Sequence, residues 1–138
     1  MGTEENKALF RRFYEDAWNT GDTWLIDELL SPDFVNHELV DVAPPHREIY
    51  KQAIRETKET FPDFTVTLED MIAEGEQVAA RWHAAGTHTH GFLGQPPMGR
   101  RVELRGITVV RIAGNRIAEF WKQDNSCITP RQLSLAEA

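Results

Sequence analysis

The chain changes character at Phe61-Pro62-Asp63-Phe64-Thr65-Val66-Thr67-Leu68-Glu69-Asp70. Before it, apolar residues recur every three or four positions. After it they alternate, with Phe64, Val66 and Leu68 set against Thr65, Thr67 and Glu69. The period thus passes from that of a helix to that of a half-buried strand. Pro62 marks the boundary, because the residue before a proline is driven out of the helical region. Asp63 is read as a structural residue that caps the turn between the two halves.

Upstream the pattern predicts three helices. Thr3 can cap the first, in which Leu9, Phe10, Phe13, Tyr14, Ala17 and Trp18 form a large aromatic stripe that Gly21 ends. Asp22 is placed to cap a second, short helix carrying Leu25, Ile26, Leu29 and Leu30 up to Ser31-Pro32. Phe34 to Leu39 reads as a short strand and 41–46, with Pro44-Pro45, as a loop. From Glu48 a third helix carries Ile49, Tyr50, Ala53, Ile54 and Thr57 up to Phe61.

Downstream the pattern predicts hairpin-linked strands. Glu74-Gly75-Glu76-Gln77 reads as a turn, followed by a strand from Val78 to His88. The segment 91–99 holds three glycines and two prolines and is expected to be a covering loop. A strand from Val102 to Ile112 follows, with Gly106 expected to form a bulge. Gly114-Asn115 makes a tight turn before a last strand from Ile117 to Asn125. Helices followed by hairpins give an α+β fold, with three N-terminal helices packed on one face of an antiparallel sheet.

The 138 residues contain no linker, repeat or low-complexity segment, so 1–138 is expected to be one domain. Fifteen Lys+Arg against 22 Asp+Glu give a net charge of −7, which disfavours nucleic acid and anionic membranes as partners. Five arginines between 100 and 116 are read as a solvated strand face rather than a phosphate reader. The single cysteine, Cys127, excludes a disulfide within the chain. No apolar run reaches the ~18 residues of a membrane helix, and Gly2-Thr3-Glu4-Glu5-Asn6-Lys7 lacks the features of a signal peptide. A cytoplasmic address is expected.

Several strings go beyond pattern. Phe61-Pro62-Asp63-Phe64, Glu74-Gly75-Glu76-Gln77-Val78, Arg81-Trp82, Gly86-Thr87-His88, Gly91-Phe92-Leu93-Gly94 with Pro97, and Gly99-Arg100 occur in the order found in the SnoaL-like polyketide cyclase (ester cyclase) family. Asn115-Arg116-Ile117-Ala118-Glu119-Phe120-Trp121-Lys122-Gln123-Asp124 resembles that family's Gly-Lys-Ile-x-Glu-x-Trp-x-x-x-Asp signature, and Arg131-Gln132-Leu133 its usual ending. The resemblance implies the cone-shaped α+β barrel shared with nuclear transport factor 2 and ketosteroid isomerase. That fold hosts isomerases, cyclases, hydrolases and binding proteins, so function has to be argued from the site.

The resemblance also makes Asp124 the leading catalytic candidate, as the base that takes an acidic carbon-bound proton so that the enolate attacks a carbonyl of the same molecule. An ordinary aspartate, with a pKa of about 3.9, is a weak base and needs an apolar surround for such work. His88, just before the glycine-rich loop, is the second catalytic candidate, as a donor to a developing enolate oxygen. His37 occupies a position where the family often has histidine and is assigned, with Tyr14, Trp18, Trp82, Phe92 and Trp121, to substrate binding. Rings of this kind suit a flat hydrophobic ligand. Phe13 and Phe120 are read as core. Trp121 and Asp124, three apart on a strand, face opposite sides unless it kinks, and Asp124 is then the one expected in the cavity.

Between Val102 and Gln123 there is no histidine, which departs from the cyclases' later-strand histidine. His83, His88 and His90 do not form a convincing metal set, since His83 has opposite parity. No metal and no cofactor are expected. The leading reading is a general-base enzyme, an aldol-type cyclase or isomerase-like catalyst acting on a hydrophobic carbonyl-containing small molecule. The alternative is a non-catalytic small-molecule-binding module. Epoxide hydrolysis would need a second aspartate beside Arg111 and Asp124, and the strand from Val102 to Ile112 offers none. A homodimer is expected through the free sheet face, with Val109, Ile112 and Ile117 as candidate contacts.

Overall fold

The computed structural model describes residues 2–88 and 99–125. Its order is α1 (Thr3–Arg11), a π-helical turn (Arg12–Asp16), α2 (Ala17–Thr20), α3 (Trp24–Leu29), β1 (Leu30–Asn36), α4 (His46–Thr60), β2 (Thr65–Glu74), β3 (Gln77–Thr87), β4 (Arg101–Ala113) and β5 (Arg116–Asp124). The residues linking α1, the π turn and α2 keep right-handed helical angles, so 3–20 is one helical rod with a wide turn in it. Gly21 ends it at φ 76°, in the left-handed region open to glycine. Three helical rods therefore pack on a curved five-stranded sheet, an α+β fold as the pattern predicts.

The sheet runs in the order β1-β5-β4-β3-β2 and is mixed rather than antiparallel. β2, β3, β4 and β5 form antiparallel hairpins, but β1 pairs parallel with β5, from Leu30 opposite Ile117 to Asn36 opposite Phe120. β1 also begins at Leu30, not Phe34, and runs through Pro32 at the sheet edge, where a missing N–H is tolerated. At the helix starts, Gly2 and Thr23 precede α1 and α3, in place of the expected caps Thr3 and Asp22.

α4 starts two residues earlier than the pattern suggests, at His46. The His46 ring is buried and bridges two backbones. Nδ1 accepts the Asn36 N–H at 3.1 Å and Nε2 lies 2.8 Å from the Val42 carbonyl. A carbonyl only accepts, so the hydrogen sits on Nε2 and the imidazole is neutral. This ties the end of β1 to the start of α4.

Gly106 is not a bulge, since β3 and β4 pair without interruption from Gln77–Arg111 to Thr87–Arg101. The bulges fall elsewhere. Leu68 pairs with Trp82 and Asp70 with Arg81, leaving Glu69 extra on β2. Ile112 pairs with Ile117 and Arg111 with Glu119, leaving Ala118 extra on β5. Each extra residue shifts the inward set by one. On β5 the inward residues are accordingly Ile117, then Phe120, Lys122 and Asp124.

The core lies between helices and sheet and is strongly aromatic. Phe10, Phe13, Phe34, Tyr50 and Phe120 are buried with edge and tilted ring contacts 5.2–6.2 Å apart, centroid to centroid. Ile112 and Ile117 belong to this core and are withdrawn from the outer face, whereas Val109, opposite Trp121, lies on it. Asp63 accepts the Thr87 N–H at 2.7 Å and the Thr87 hydroxyl at 2.8 Å, pinning the end of β3 to the turn after α4. Those bonds hold its carboxyl below the usual carboxylate range. Among the described residues no helix is long and apolar enough to cross a membrane.

Candidate functional site

A cavity of about 350 Å³ opens between the helices and the concave sheet face. Its walls are aromatic and aliphatic: Tyr14 and Trp18 from the first rod, Ile49, Tyr50 and Ala53 from α4, Phe61 and Phe64 from the following turn, and Val66, Trp82, Leu104 and Phe120 from the sheet. The charged groups come from one end. Glu38, Lys122 and Asp124 line it there, beside Asn36.

The rings are set by a few polar contacts. The π turn carries Phe13 and Tyr14, and a wide turn of this kind often marks a functional position in a helix. The Tyr14 hydroxyl lies 2.5 Å from Thr108 Oγ1, and Trp82 Nε1–H donates to the same oxygen at 2.9 Å. Trp18 Nε1–H donates to the Tyr50 hydroxyl at 2.8 Å. Burial pushes the ionisation of both tyrosines far above the usual range, against the lowering effect of the Thr108 and Trp18 bonds. Both are therefore neutral hydroxyls at any working pH.

Gly106 makes the Trp82 position possible. A Cβ on it would run into the six-membered ring of Trp82 and the Cβ of Asp124. The glycine is here for close approach, which is the other standing reason for a glycine inside a strand.

Asp124 faces the cavity from the end of β5, with its side chain 8% exposed, and its carboxylate lies 3.2 Å from Lys122 Nζ. Lys122 also reaches Glu38 at 3.3 Å. Exposure rises from Asp124 through Lys122 at 27% to Glu38 at 37%, so the trio runs from the cavity outward to solvent. Asn36 Oδ1 accepts the Glu38 N–H at 2.9 Å, which turns the chain after β1 and brings Glu38 to the mouth.

Of the residues assigned from sequence, Asp124, Tyr14, Trp18 and Trp82 meet in this cavity. His37 and Trp121 do not line it. The Ala118 bulge leaves Trp121 on the outer face, where it stacks on His37 with ring centroids 4.6 Å apart and planes at 4°. There they border a second pocket with Val40 and Gln123, which meets the first at Glu38, Lys122 and Asp124. His88 is fully buried and packs its ring 5.8 Å from Phe61 without lining the cavity. Its backbone pairs with Arg100 and Gly99 beyond the end of β3. Phe92, His90 and most of the 91–99 loop lie outside the described residues, as does Arg131-Gln132-Leu133.

His83 faces outward and bonds Glu69 at 2.9 Å. Arg111 also faces outward, toward Glu119 at 3.2 Å, and so does not join Asp124 in an arginine-carboxylate set. Sequence reasoning missed Tyr50, Glu38, Lys122 and Thr108 as lining or supporting groups. Lys122 was within reach of it, since it shares strand parity with Asp124.

The description "SnoaL-like polyketide cyclase" belongs to a family model that matches residues 8–133. Among solved structures, TsrD from Streptomyces laurentii is 27% identical, with 96% of this chain and 97% of that one covered and a TM-score of 0.86. IdmH from Streptomyces antibioticus, assigned as a polyketide cyclase, is 33% identical over 94% of this chain and 98% of its own, with a TM-score of 0.80. AclR from Streptomyces galilaeus, assigned as a hydroxylase, is 27% identical over 99% of each chain, with a TM-score of 0.82. No curated protein matches the sequence.

Proposed function

The chain belongs to the SnoaL-like polyketide cyclase family, and on that premise we propose that it is a cytoplasmic, homodimeric, cofactor-free general-base enzyme. It acts as an aldol-type cyclase or isomerase-like catalyst on a hydrophobic small molecule containing a carbonyl group. The observation that carries this reading is Asp124, a carboxylate only 8% exposed that lines an aromatic cavity. Lys122 offsets the cost of holding a carboxylate among rings. In the reaction Asp124 takes a proton from a carbon next to the ligand's carbonyl. The C–H electrons form the enolate, which attacks a second carbonyl or is reprotonated elsewhere. While Asp124 holds the proton, Lys122 keeps Glu38 as its counterion.

One observation favours the alternative, a module that binds such a ligand without transforming it. The inward residues of β4 in register with β5 are Gly106, Thr108, Val110 and Ile112, none of which titrates in the working range, so this stretch of β4 brings no histidine or carboxylate of its own to the inner face.

Deuterium exchange at the α-carbon of 2-tetralone, a flat ketone, separates the two. General-base catalysis is typically worth about 10²–10⁴-fold, and Asp124→Asn is expected to lose that factor while folding and binding 2-tetralone as before. Exchange at the wild-type rate in this variant, or none in the wild type, would sink the enzymatic reading.

A further inference from the structure

Trp18 and Tyr50 meet on the helical side of the cavity, their rings 5.7 Å apart at 77°. The direction of their hydrogen bond is fixed, because an indole N–H can only donate. The Tyr14–Thr108 pair differs, since either oxygen there can be the donor. With its oxygen taken as an acceptor by Trp18, Tyr50 has its own hydrogen left to give. Phe13, Phe34 and Phe120 pack against its ring and offer no acceptor, and the neighbouring Tyr14 hydroxyl makes its bond with Thr108. Tyr50 is 6% exposed, and no acceptor among the described residues meets that hydrogen. The remaining side of the residue is the cavity, which it lines.

A buried hydroxyl hydrogen without a protein acceptor is a vacancy for a ligand oxygen. Burial keeps the proton on Tyr50 across the working range, so the group is a donor and never a base. Accepting from Trp18 also polarises its O–H bond and strengthens what it can donate. We propose that Tyr50 is the hydrogen-bond donor that receives the ligand's carbonyl oxygen, and that Trp18 is the positioning residue that aims it. Flat ketones and related carbonyl compounds are the class this arrangement selects, because they carry a strong acceptor on an apolar body.

The inference rests on the proposed reaction only in making that carbonyl the reacting one. As Asp124 breaks the C–H bond, the electron pair moves toward the carbonyl oxygen. The Tyr50 O–H then donates to a developing oxyanion, an interaction stronger in the transition state than in the bound ketone. The proton stays on Asp124 until it is returned to carbon or to the product oxygen.

The test uses 9-fluorenone, a flat tricyclic ketone with no hydrogen on the carbons flanking its carbonyl. Its outcome is therefore independent of whether Asp124 acts as a base. The carbonyl stretch of bound 9-fluorenone, read by infrared difference spectroscopy, is expected below its value in cyclohexane. Tyr50→Phe is expected to return it to that value and to weaken binding roughly three- to tenfold, the worth of one net hydrogen bond. In Trp18→Phe the lowered band is expected to persist but broaden, because Tyr50 is no longer held in one direction. This second variant decides the matter if Tyr50→Phe does not fold. The proposal is overturned if 9-fluorenone does not bind, if its stretch in the wild type matches cyclohexane, if the lowered stretch survives in Tyr50→Phe, or if the Trp18→Phe band is identical to the wild type.

Discussion

Phe120 and Trp121 are neighbours in sequence, yet one has its ring in the core beside Phe13, Phe34 and Tyr50 while the other stacks on His37 outside the cavity. The same division runs along all of β5 beyond Ala118. Phe120, Lys122 and Asp124 face the cavity, while on the outer face Glu119 pairs with Arg111 and His37 and Trp121 stacks on His37. The contrast teaches that the candidate site is set by strand parity as much as by residue type. A tryptophan looks like the better pocket residue, and a lysine and an aspartate look like surface. The bulge at Ala118 gives the cavity the second pair.

Inserting one alanine between Trp121 and Lys122 attacks that division directly. A one-residue slip turns Lys122 and Asp124 outward and Gln123 inward. We expect 2-tetralone exchange to be abolished and the melting transition to fall by many degrees. Retained exchange would mean that the strand absorbs the insertion as a second bulge.

Phe120→Ala sharpens the same comparison from the inner side. Phe120 is 1% exposed, and removing a fully buried phenyl ring costs about 3–5 kcal/mol through lost burial and the cavity left behind. Urea unfolding measures it, and a loss under about 1 kcal/mol would show that the inner face is not the structural one.

Gly106→Ala tests the floor of the site. The new Cβ collides with the Trp82 ring and the Asp124 Cβ, neither of which is the free end of a flexible chain. Overpacking of this kind costs about 1–3 kcal/mol. Because it displaces both Trp82 and Asp124, 2-tetralone affinity is expected to fall along with the unfolding midpoint. Gly75→Ala, at a turn with open space around it, would strain φ 58° but leave the cavity alone, so its affinity should be unchanged.

These effects separate what the sequence made readable from what it did not. The break at Pro62, the hairpin turns at Gly75 and Gly114-Asn115, and the aromatic stripe of the first rod are local signals, and local chemistry produces them. The parallel pairing of β1 with β5 is a choice of partner across more than 80 positions, and nothing in Leu30–Asn36 names Ile117–Phe120. The bulges at Glu69 and Ala118 are invisible for a related reason. An extra residue is recognised only against the strand it pairs with, so the sequence points to Asp124 through family resemblance, and to Lys122 only through the parity it shares with Asp124. Tyr50 was legible as a helix face but not as a donor, because that depends on Trp18, 32 positions away.

The smallest expected effect on the monomer belongs to the outer face. Trp121 is half-buried there through its stack on His37, and losing one aromatic pair is worth about 0.5–1.5 kcal/mol. Opposite it on β4 lies Val109, and next along that strand Ile107 is 53% exposed, an apolar strip bordered by Arg105, Arg111 and Glu119. If a second copy packs against this strip, as the homodimer proposal requires, a charge at its centre must be desolvated without a partner. Trp121→Asp is therefore expected to leave the monomer's unfolding free energy within about 1.5 kcal/mol while shifting the protein from dimer to monomer in sedimentation equilibrium. An unchanged dimer would move the interface off this face, and a wild-type monomer would remove it. In either case β5 would still divide a cavity-facing inner row from an outer one, because that division depends on Ala118 and not on a partner.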